Sequence, residues 1–304
     1  MNVVEKTGVK YKKSHLFVSP GKLIFRNLIL IILASLLFGC DKELDIAENT
    51  DDSTTKDSII ELEEFVVMSF NLRNEVGSDP QTLDERKWNI RKVILDSNPD
   101  ILGVQEIAAD WMSNWLSHQL DSAGYDKYLS SGQFGSPKII YYKRNRFSRQ
   151  EQGTFQMQFT DNRAGTWIIL LDKLNNKSYF LSNSHWTTVS SEERVETAKI
   201  ILDIIIKNSQ GLPLIIFGDF NAKPGTPEIT TMKDANRFKL VCAHGEEGDT
   251  YHGWDSNGDK KVDWILCPEE FKIKDSKVIT TSYNGYYPSD HWPITATVAL
   301  LDNF

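Results

Sequence analysis

Short apolar runs that each end in a polar side chain constrain this fold more than any single motif. Glu64-Phe65-Val66-Val67-Met68-Ser69-Phe70 leads to Asn71, and Asp100-Ile101-Leu102-Gly103-Val104-Gln105 to Glu106. The segment Ser178–Ser184 ends at His185, and Leu212-Pro213-Leu214-Ile215-Ile216-Phe217 delivers Asp219 and Asn221. Asp263 stands in Lys261-Val262-Asp263-Trp264-Ile265-Leu266, and Asp290-His291 precede the last strand, expected at Thr295–Leu301. Runs of this length read as fully buried strands. One polar strand end is commonplace and has a bland reading, since Asp219 and Asn221 suit an Asx turn. Eight on successive strands predict a polar centre at one edge of the sheets, where ligands of α/β proteins collect.

Helical segments separate the runs. The spacing predicts one from Asp84 to Ser97, with Trp88, Val93, Ile94 and the stem of Arg91 on its apolar face, stopped by Asn98-Pro99. A second is expected from Ala109 to Ala123, with Trp111, Trp115, Leu116 and Leu120 as a core-facing stripe. A third runs from Glu192 to Lys207 behind a capping segment Ser190-Ser191-Glu192-Glu193. Further β-like segments lie at 138–143, 153–159, 165–172 and 278–282, with a hairpin turn at Asn175-Asn176-Lys177.

The polar strand ends comprise carboxylates, carboxamides and imidazoles, with no thiolate and no zinc-type His spacing. Such hard oxygen donors suit Mg2+ or Mn2+. In family order, the chain reads Ser69-Phe70-Asn71, Pro99-Asp100-Ile101-Leu102-Gly103-Val104-Gln105-Glu106, Asn183-Ser184-His185, Gly218-Asp219-Phe220-Asn221, Val262-Asp263-Trp264-Ile265 and Ser289-Asp290-His291-Trp292-Pro293. These six pieces resemble the endonuclease/exonuclease/phosphatase superfamily, the deoxyribonuclease I-like metal-dependent phosphoesterases. The resemblance implies an α/β (α+β) four-layer sandwich, two mixed β-sheets face to face with helices outside. It implies that Glu106, with Asn71 and Asp290, holds the metal. Asp219 and Asn221 would position water and phosphate, and His291, oriented by Asp263, would serve as base or phosphate contact. His185 would bind or protonate phosphate oxygens, and Arg163 would steady the phosphate. The chain departs from the family in two places that bear on His185. Gly135-Ser136-Pro137-Lys138 stands where many relatives carry a Glu, and Trp186 where many exported relatives carry a second His. The Phe159–Arg163 loop is also short.

The N-terminus differs in kind. Lys10, Lys12, Lys13, Lys22 and Arg26 precede an eleven-residue apolar stretch, 28–38, that ends at Gly39-Cys40. This is the pattern of a secretory leader, and the Cys after Leu-Phe-Gly resembles the lipobox of bacterial lipoproteins. Residues 1–39 are therefore expected as signal peptide and 40–62 as a lipidated Cys40 with a polar tether. Residues 63–304 are expected to form the catalytic domain, held at the cell envelope by a lipid anchor and acting as a monomer. Removing 1–39 takes six basic residues and one acidic residue, leaving 28 basic against 41 acidic and a net charge of −13. That balance opposes non-specific polyanion binding but leaves open a phosphodiester reached through a metal, whether nucleic acid, lipid headgroup or small diester. The rival reading is a catalytically silent binding or scaffold lipoprotein on the same fold.

Three other features compete for attention. Asp255-Ser256-Asn257-Gly258-Asp259 begins like a Ca2+ loop, but its twelfth position is Leu266, so a polar hairpin is the preferred reading over bound Ca2+. His252 is a further candidate near the cleft. Cys242 and Cys267 are either a disulfide, which an exported compartment permits, or two buried thiols.

Overall fold

The computed structural model describes residues 59–107, 110–130, 138–157, 160, 162–234 and 238–303. The leader, Cys40, most of the tether and Gly135-Ser136-Pro137 lie outside the described residues.

In chain order the elements are β1 (Ile59–Glu61), β2 (Phe65–Asn71), α1 (Leu83–Ser97), β3 (Ile101–Gln105), α2 (Asp110–Ser122), β4 (Tyr125–Leu129), β5 (Ile139–Lys143), β6 (Phe147–Gln156), β7 (Ala164–Asp172), β8 (Lys177–His185), α3 (Ser191–Asn208), β9 (Leu214–Asp219), α4 (Pro227–Lys233), β10 (Leu240–Cys242), β11 (Asp263–Pro268), β12 (Phe271–Val278) and β13 (Ile294–Asn303). The strands form two mixed sheets. One has seven strands, ordered β1-β13-β2-β3-β5-β4 with β12 also on β13, and the other has six, ordered β10-β11-β9-β8-β7-β6. Each holds one parallel pair, β2 with β3 and β8 with β9, bridged by α1 and α3 respectively. Parallel neighbours require such a crossover.

Alternation along the strands explains the layering. Phe65 and Val67 of β2 share an apolar cluster with Ile215 and Phe217 of β9 and Ile265 of β11, between the sheets. The alternate residues Met68 and Phe70 pack with α1 and α2, and Ile216, Trp264 and Leu266 with α3 and α4. The result is a four-layer sandwich. Gly103 is needed in its middle, because a Cβ there would stand 2.2 Å from the Phe217 ring.

The helix signals are visible in atoms. Thr82 and Glu85 make a reciprocal capping box on α1, and Ser190 Oγ accepts the Glu193 N–H on α3. The aromatic stripe departs from expectation. Met112, Leu116 and Leu120 of α2 are buried, but Trp111 is 45% exposed and Trp88 of α1 is 55% exposed. The i, i+4, i+8 row at 112, 116 and 120 takes the contact with the sheet, so residues 111 and 115 fall at its margin. There Trp115 meets Trp88 edge to face at 5.0 Å, with Lys87 over Trp111 and Trp115.

Cys242 and Cys267 are free buried thiols. Val241, not Cys242, lies opposite Cys267 in the ladder, so the two sulfurs point to different faces. In the loop at 255–259, Asp255 accepts hydrogen bonds from Asn257, and Leu266 is buried inside β11.

Candidate active site

The slab between the sheets is apolar through most of its length and turns polar at one edge. The inward-facing period that buries Phe65 and Val67 continues to Ser69 and Asn71, and that of Ile215 and Phe217 continues to Asp219. On β8 the same period runs from Leu181 to Asn183 and His185, and on β11 Ile265 is preceded by Asp263. Register then brings the ends together, with His185 beside Asp219 and Asp219 beside Asp263. Close approach of β8 and β9 depends on Gly218. Its φ is +145°, and a Cβ would lie 1.9 Å from the Ser184 carbonyl oxygen. Beneath the site, Gln105 donates to Asn183 Oδ1 at 2.8 Å and fixes one sheet to the other.

The centre of the cluster is a file of buried groups. His291 Nδ1 lies 2.8 Å from Asp263 Oδ2, and His291 Nε2 lies 3.8 Å from Asp219 Oδ2. His185 Nε2 is 3.3 Å from the same Asp219 oxygen and 3.8 Å from Glu106 Oε1. Asn71 Nδ2 donates to Asp219 Oδ2 at 2.9 Å and to Glu106 Oε1 at 3.1 Å, while its Oδ1 accepts the Arg73 N–H. Thr250 Oγ1 accepts the Val262 and Asp263 N–H groups, holding the Asp263 backbone in place. Asp219 Oδ1 accepts the Asn221 N–H, so the Asx turn is present within the cluster.

The surrounding charges set distinct protonation behaviour. Burial pushes Asp219 up to about 7, with His291 opposing and Asp263 reinforcing the shift. Burial would depress His291, but the charges of Asp263 and Asp219 override it and raise the imidazole to about 10. His185 is held well below the usual range by burial, then by Arg163 and Lys138. Lys138, itself buried, thus brings positive charge toward His185. Asp290 is raised, chiefly by burial, and lies 3.5 Å from Arg73 Nη1.

A cleft of about 200 Å3 opens above this floor, lined by Arg73, Glu106, Arg163, His185, Asp219, Asn221, Tyr251, Lys260, Asp290 and His291 among others. Asn71 and Asp263 stand behind that lining and reach it through hydrogen bonds. The Trp186 carbonyl receives Arg163 Nη1 at 2.8 Å and Asn221 Nδ2 at 2.9 Å, while its ring stacks on Phe220 at 4.2 Å. Trp186 therefore serves as a bracket for two cleft residues. His252 lies outside the lining, stacked on Trp292 at 4.7 Å and lowered to about 4, first by burial.

Arg73, Tyr251 and Lys260 carry no motif that singles them out. Arg73 follows Asn71 by two residues and has φ +56°. The Tyr251 ring meets His291 edge to face at 5.0 Å and lies under Lys260 Nζ at 4.5 Å. A tyrosine one residue after the Thr250 that caps Asp263 is the nearest thing to a signal.

A divalent cation fits this donor set. Ligand atoms of Glu106, His185 and Asp219 lie within 4.8 Å of one another, as do those of Asp219, Asp263 and His291. Glu106 and Asp219 share one carboxamide, and Asp219 is a buried carboxylate whose ionisation a cation would favour. The triad that contains Glu106 adds Asp219 and His185 to it, whereas Asn71 turns its nitrogen toward the carboxylates and Asp290 faces Arg73. Glu106 itself adopts φ +55°, a conformation costing about 1 kcal/mol or more for a residue with a Cβ.

Comparison with known proteins agrees with the architecture. The sequence profile described as the endonuclease/exonuclease/phosphatase family matches residues 68–291. Human Nocturnin is 25% identical over 197 residues, 56% of this chain and 44% of its own length. A probable RNA exonuclease of Schizosaccharomyces pombe is 24% identical over 189 residues, 55% of this chain and 37% of its own length. The chain thus spans less than half the length of these curated relatives. Among solved structures, an endonuclease/exonuclease/phosphatase family protein from Bacteroides thetaiotaomicron superposes with TM-score 0.71 at 22% identity, covering 79% of this chain and 98% of that one. A mannosyl-6-phosphatase from the same organism gives 0.67 at 22% identity, covering 77% and 99%.

Proposed function

Because the chain belongs to the endonuclease/exonuclease/phosphatase family, we propose that it is a divalent-metal-dependent phosphoesterase that hydrolyses a phosphodiester. The observation that carries this reading is the buried file Asp263–His291–Asp219 beneath a cleft walled by Arg73, Arg163 and Lys260. The charges of Asp263 and Asp219 favour the protonated form of His291, so its Nε2 is suited to donate to a phosphate oxygen. Asp219, set between His185 Nε2 and His291 Nε2, is suited to orient the attacking water, and a metal ion held beside it would keep its carboxylate ionised. Asn221 is held on the Trp186 carbonyl at the cleft wall, where Arg163 meets the phosphate. His185, kept neutral, offers one ring nitrogen to the metal or to phosphate. Mg2+ or Mn2+ held by Glu106 with Asp219, and with Asn71 and Asp290 adjacent, would supply charge neutralisation at the phosphate.

The test is release from a chromogenic phosphodiester with Mg2+ or Mn2+, set against EDTA, His291→Ala and Asp219→Asn. A panel of DNA, RNA, phospholipid and small diesters then names the substrate. Metal-loaded protein inert on the whole panel would replace the enzyme by a binding or scaffold protein.

The reading extends to location. The basic leader and Gly39-Cys40 support an exported envelope protein, anchored by acyl chains on Cys40. Among the described residues no helix is long and apolar enough to cross a membrane. Metabolic labelling with a fatty acid checks the anchor, and incorporation undiminished by Cys40→Ser would refute it.

A further inference from the structure

Arg86, on α1, is fully buried, and its side-chain hydrogen bonds all go to backbone carbonyls. Nη1 donates to Leu72 O at 3.0 Å and to Pro288 O at 2.7 Å, and Nη2 donates to Arg73 O at 3.0 Å. Its guanidinium lies 5.2 Å from the centre of the Trp254 ring. Each of these partners belongs to a segment that supplies the cleft. Leu72 and Arg73 follow Asn71, which spaces Glu106 from Asp219. Pro288 precedes Ser289-Asp290-His291. Trp254 closes the turn whose His252 and Gly253 N–H groups donate to the Asp290 carbonyl.

Burying a guanidinium is costly unless its geometry is used. Here the two terminal nitrogens of the planar fork are used, because three carbonyls from two chain segments converge on them, while Nε is buried without a partner. A Lys ammonium offers its donors from one point and cannot span them in the same way. The two segments also meet directly, through Ser289 Oγ donating to Asn71 O at 2.7 Å and the Arg73–Asp290 ion pair at 3.5 Å, and Arg86 adds three hydrogen bonds that bridge them.

We propose that Arg86 is a positioning residue that locks the Asn71–Arg73 strand end to the Ser289–His291 loop, and so fixes His291 and Asp290 against Asp219 and Glu106. The catalytic part of this inference rests on the phosphoesterase reading, but the conformational part does not.

The experiment compares Arg86→Met and Arg86→Lys with the unaltered protein by hydrogen exchange and by steady-state kinetics on the best substrate of the panel. In Arg86→Met, amides of 71–74 and 289–292 are expected to exchange roughly tenfold faster, about the effect of one lost buried hydrogen bond. Those of α1 and of the six-stranded sheet stay at their original rates. Turnover falls on the order of 10²-fold from misplacement alone, with KM within about threefold. Arg86→Lys lies between in both readouts, and it carries the test alone if Arg86→Met does not fold. A folded variant with a lower melting temperature but unaltered exchange in both segments would overturn the proposal, leaving Arg86 a support of α1 only. So would faster exchange accompanied by undiminished turnover. If the unaltered protein hydrolyses nothing on the panel, the phosphoesterase reading fails, and exchange alone decides the lock.

Discussion

Replacing Asp263 by Asn removes one charge from the most buried ion pair of the site while keeping its shape. Asp263 is 1% exposed and His291 6%, and their 2.8 Å contact is the strongest influence raising the imidazole from 6.5 to about 10. A base whose folded-state value is raised contributes stability that is complete below its unfolded value. That contribution erodes between 6.5 and about 10 and is gone above. At about 1.4 kcal/mol per unit, the whole shift, to which Asp219 and Asp290 also contribute, sets a ceiling of roughly 5 kcal/mol. Breaking a buried pair by deleting one partner costs about 3–5 kcal/mol, so the two figures agree. Metal-free Asp263→Asn is therefore expected to lose about 3–5 kcal/mol at pH 6, less than about 3 at pH 8, and little near pH 10. Denaturant titrations in EDTA at the three pH values measure this. A deficit of constant size across that range would refute the electrostatic reasoning and assign the loss to packing.

The remaining predictions concern the neighbours of that pair. Asp219 has its folded-state value raised by burial, so its ionisation costs stability as pH climbs from 3.8 to about 7. Asp219→Asn should melt higher than the unaltered protein in EDTA at about pH 8 while losing at least ~10²-fold in turnover, and equal or lower melting would contradict this. Gly218→Ala places a Cβ where the Ser184 carbonyl stands, so strands β8 and β9 must part. A loss exceeding about 3 kcal/mol, or insoluble protein, is expected, and a neutral variant would show that the strands can shift. Saturating Mn2+ or Mg2+, at about 100 times its dissociation constant, should stabilise the fold by roughly 2.7 kcal/mol. Glu106→Gln should weaken that gain in a thermal-shift titration, and an unchanged gain would place the ion elsewhere.

Much of the sandwich was legible because burial on both faces leaves a nearly continuous apolar run. Leu214-Ile215-Ile216-Phe217, closed at once by Gly218 and Asp219, is too short for a helix and reads as a strand. The polar residue that closes each such run marks the strand end, although a run buried on both faces does not reveal which face turns inward. Edge strands were harder to read. Tyr125–Leu129 and Phe271–Val278 face solvent along much of their length and mix Lys and Asp with few apolar residues, so no run marks them. Trp88 and Trp111 misled because a helix margin tolerates an aromatic that only half buries. Arg73, Tyr251 and Lys260 enter the cleft from loops, where side-chain direction depends on turns and not on a period. Arg86 was hidden for another reason: its partners are carbonyls, which every residue possesses.

The placement of the two thiols on opposite faces of the β10–β11 ladder has a consequence for how the domain is made. Burial raises Cys267 to about 12 and also raises Cys242, so neither sulfur is readily ionised at neutral pH. Neither can reach the other without a strand flipping over. The domain thus needs no oxidant to mature and no isomerase to correct it. Its denaturation midpoint should be the same with and without reductant, which makes the fold indifferent to the redox state of the compartment in which it is assembled.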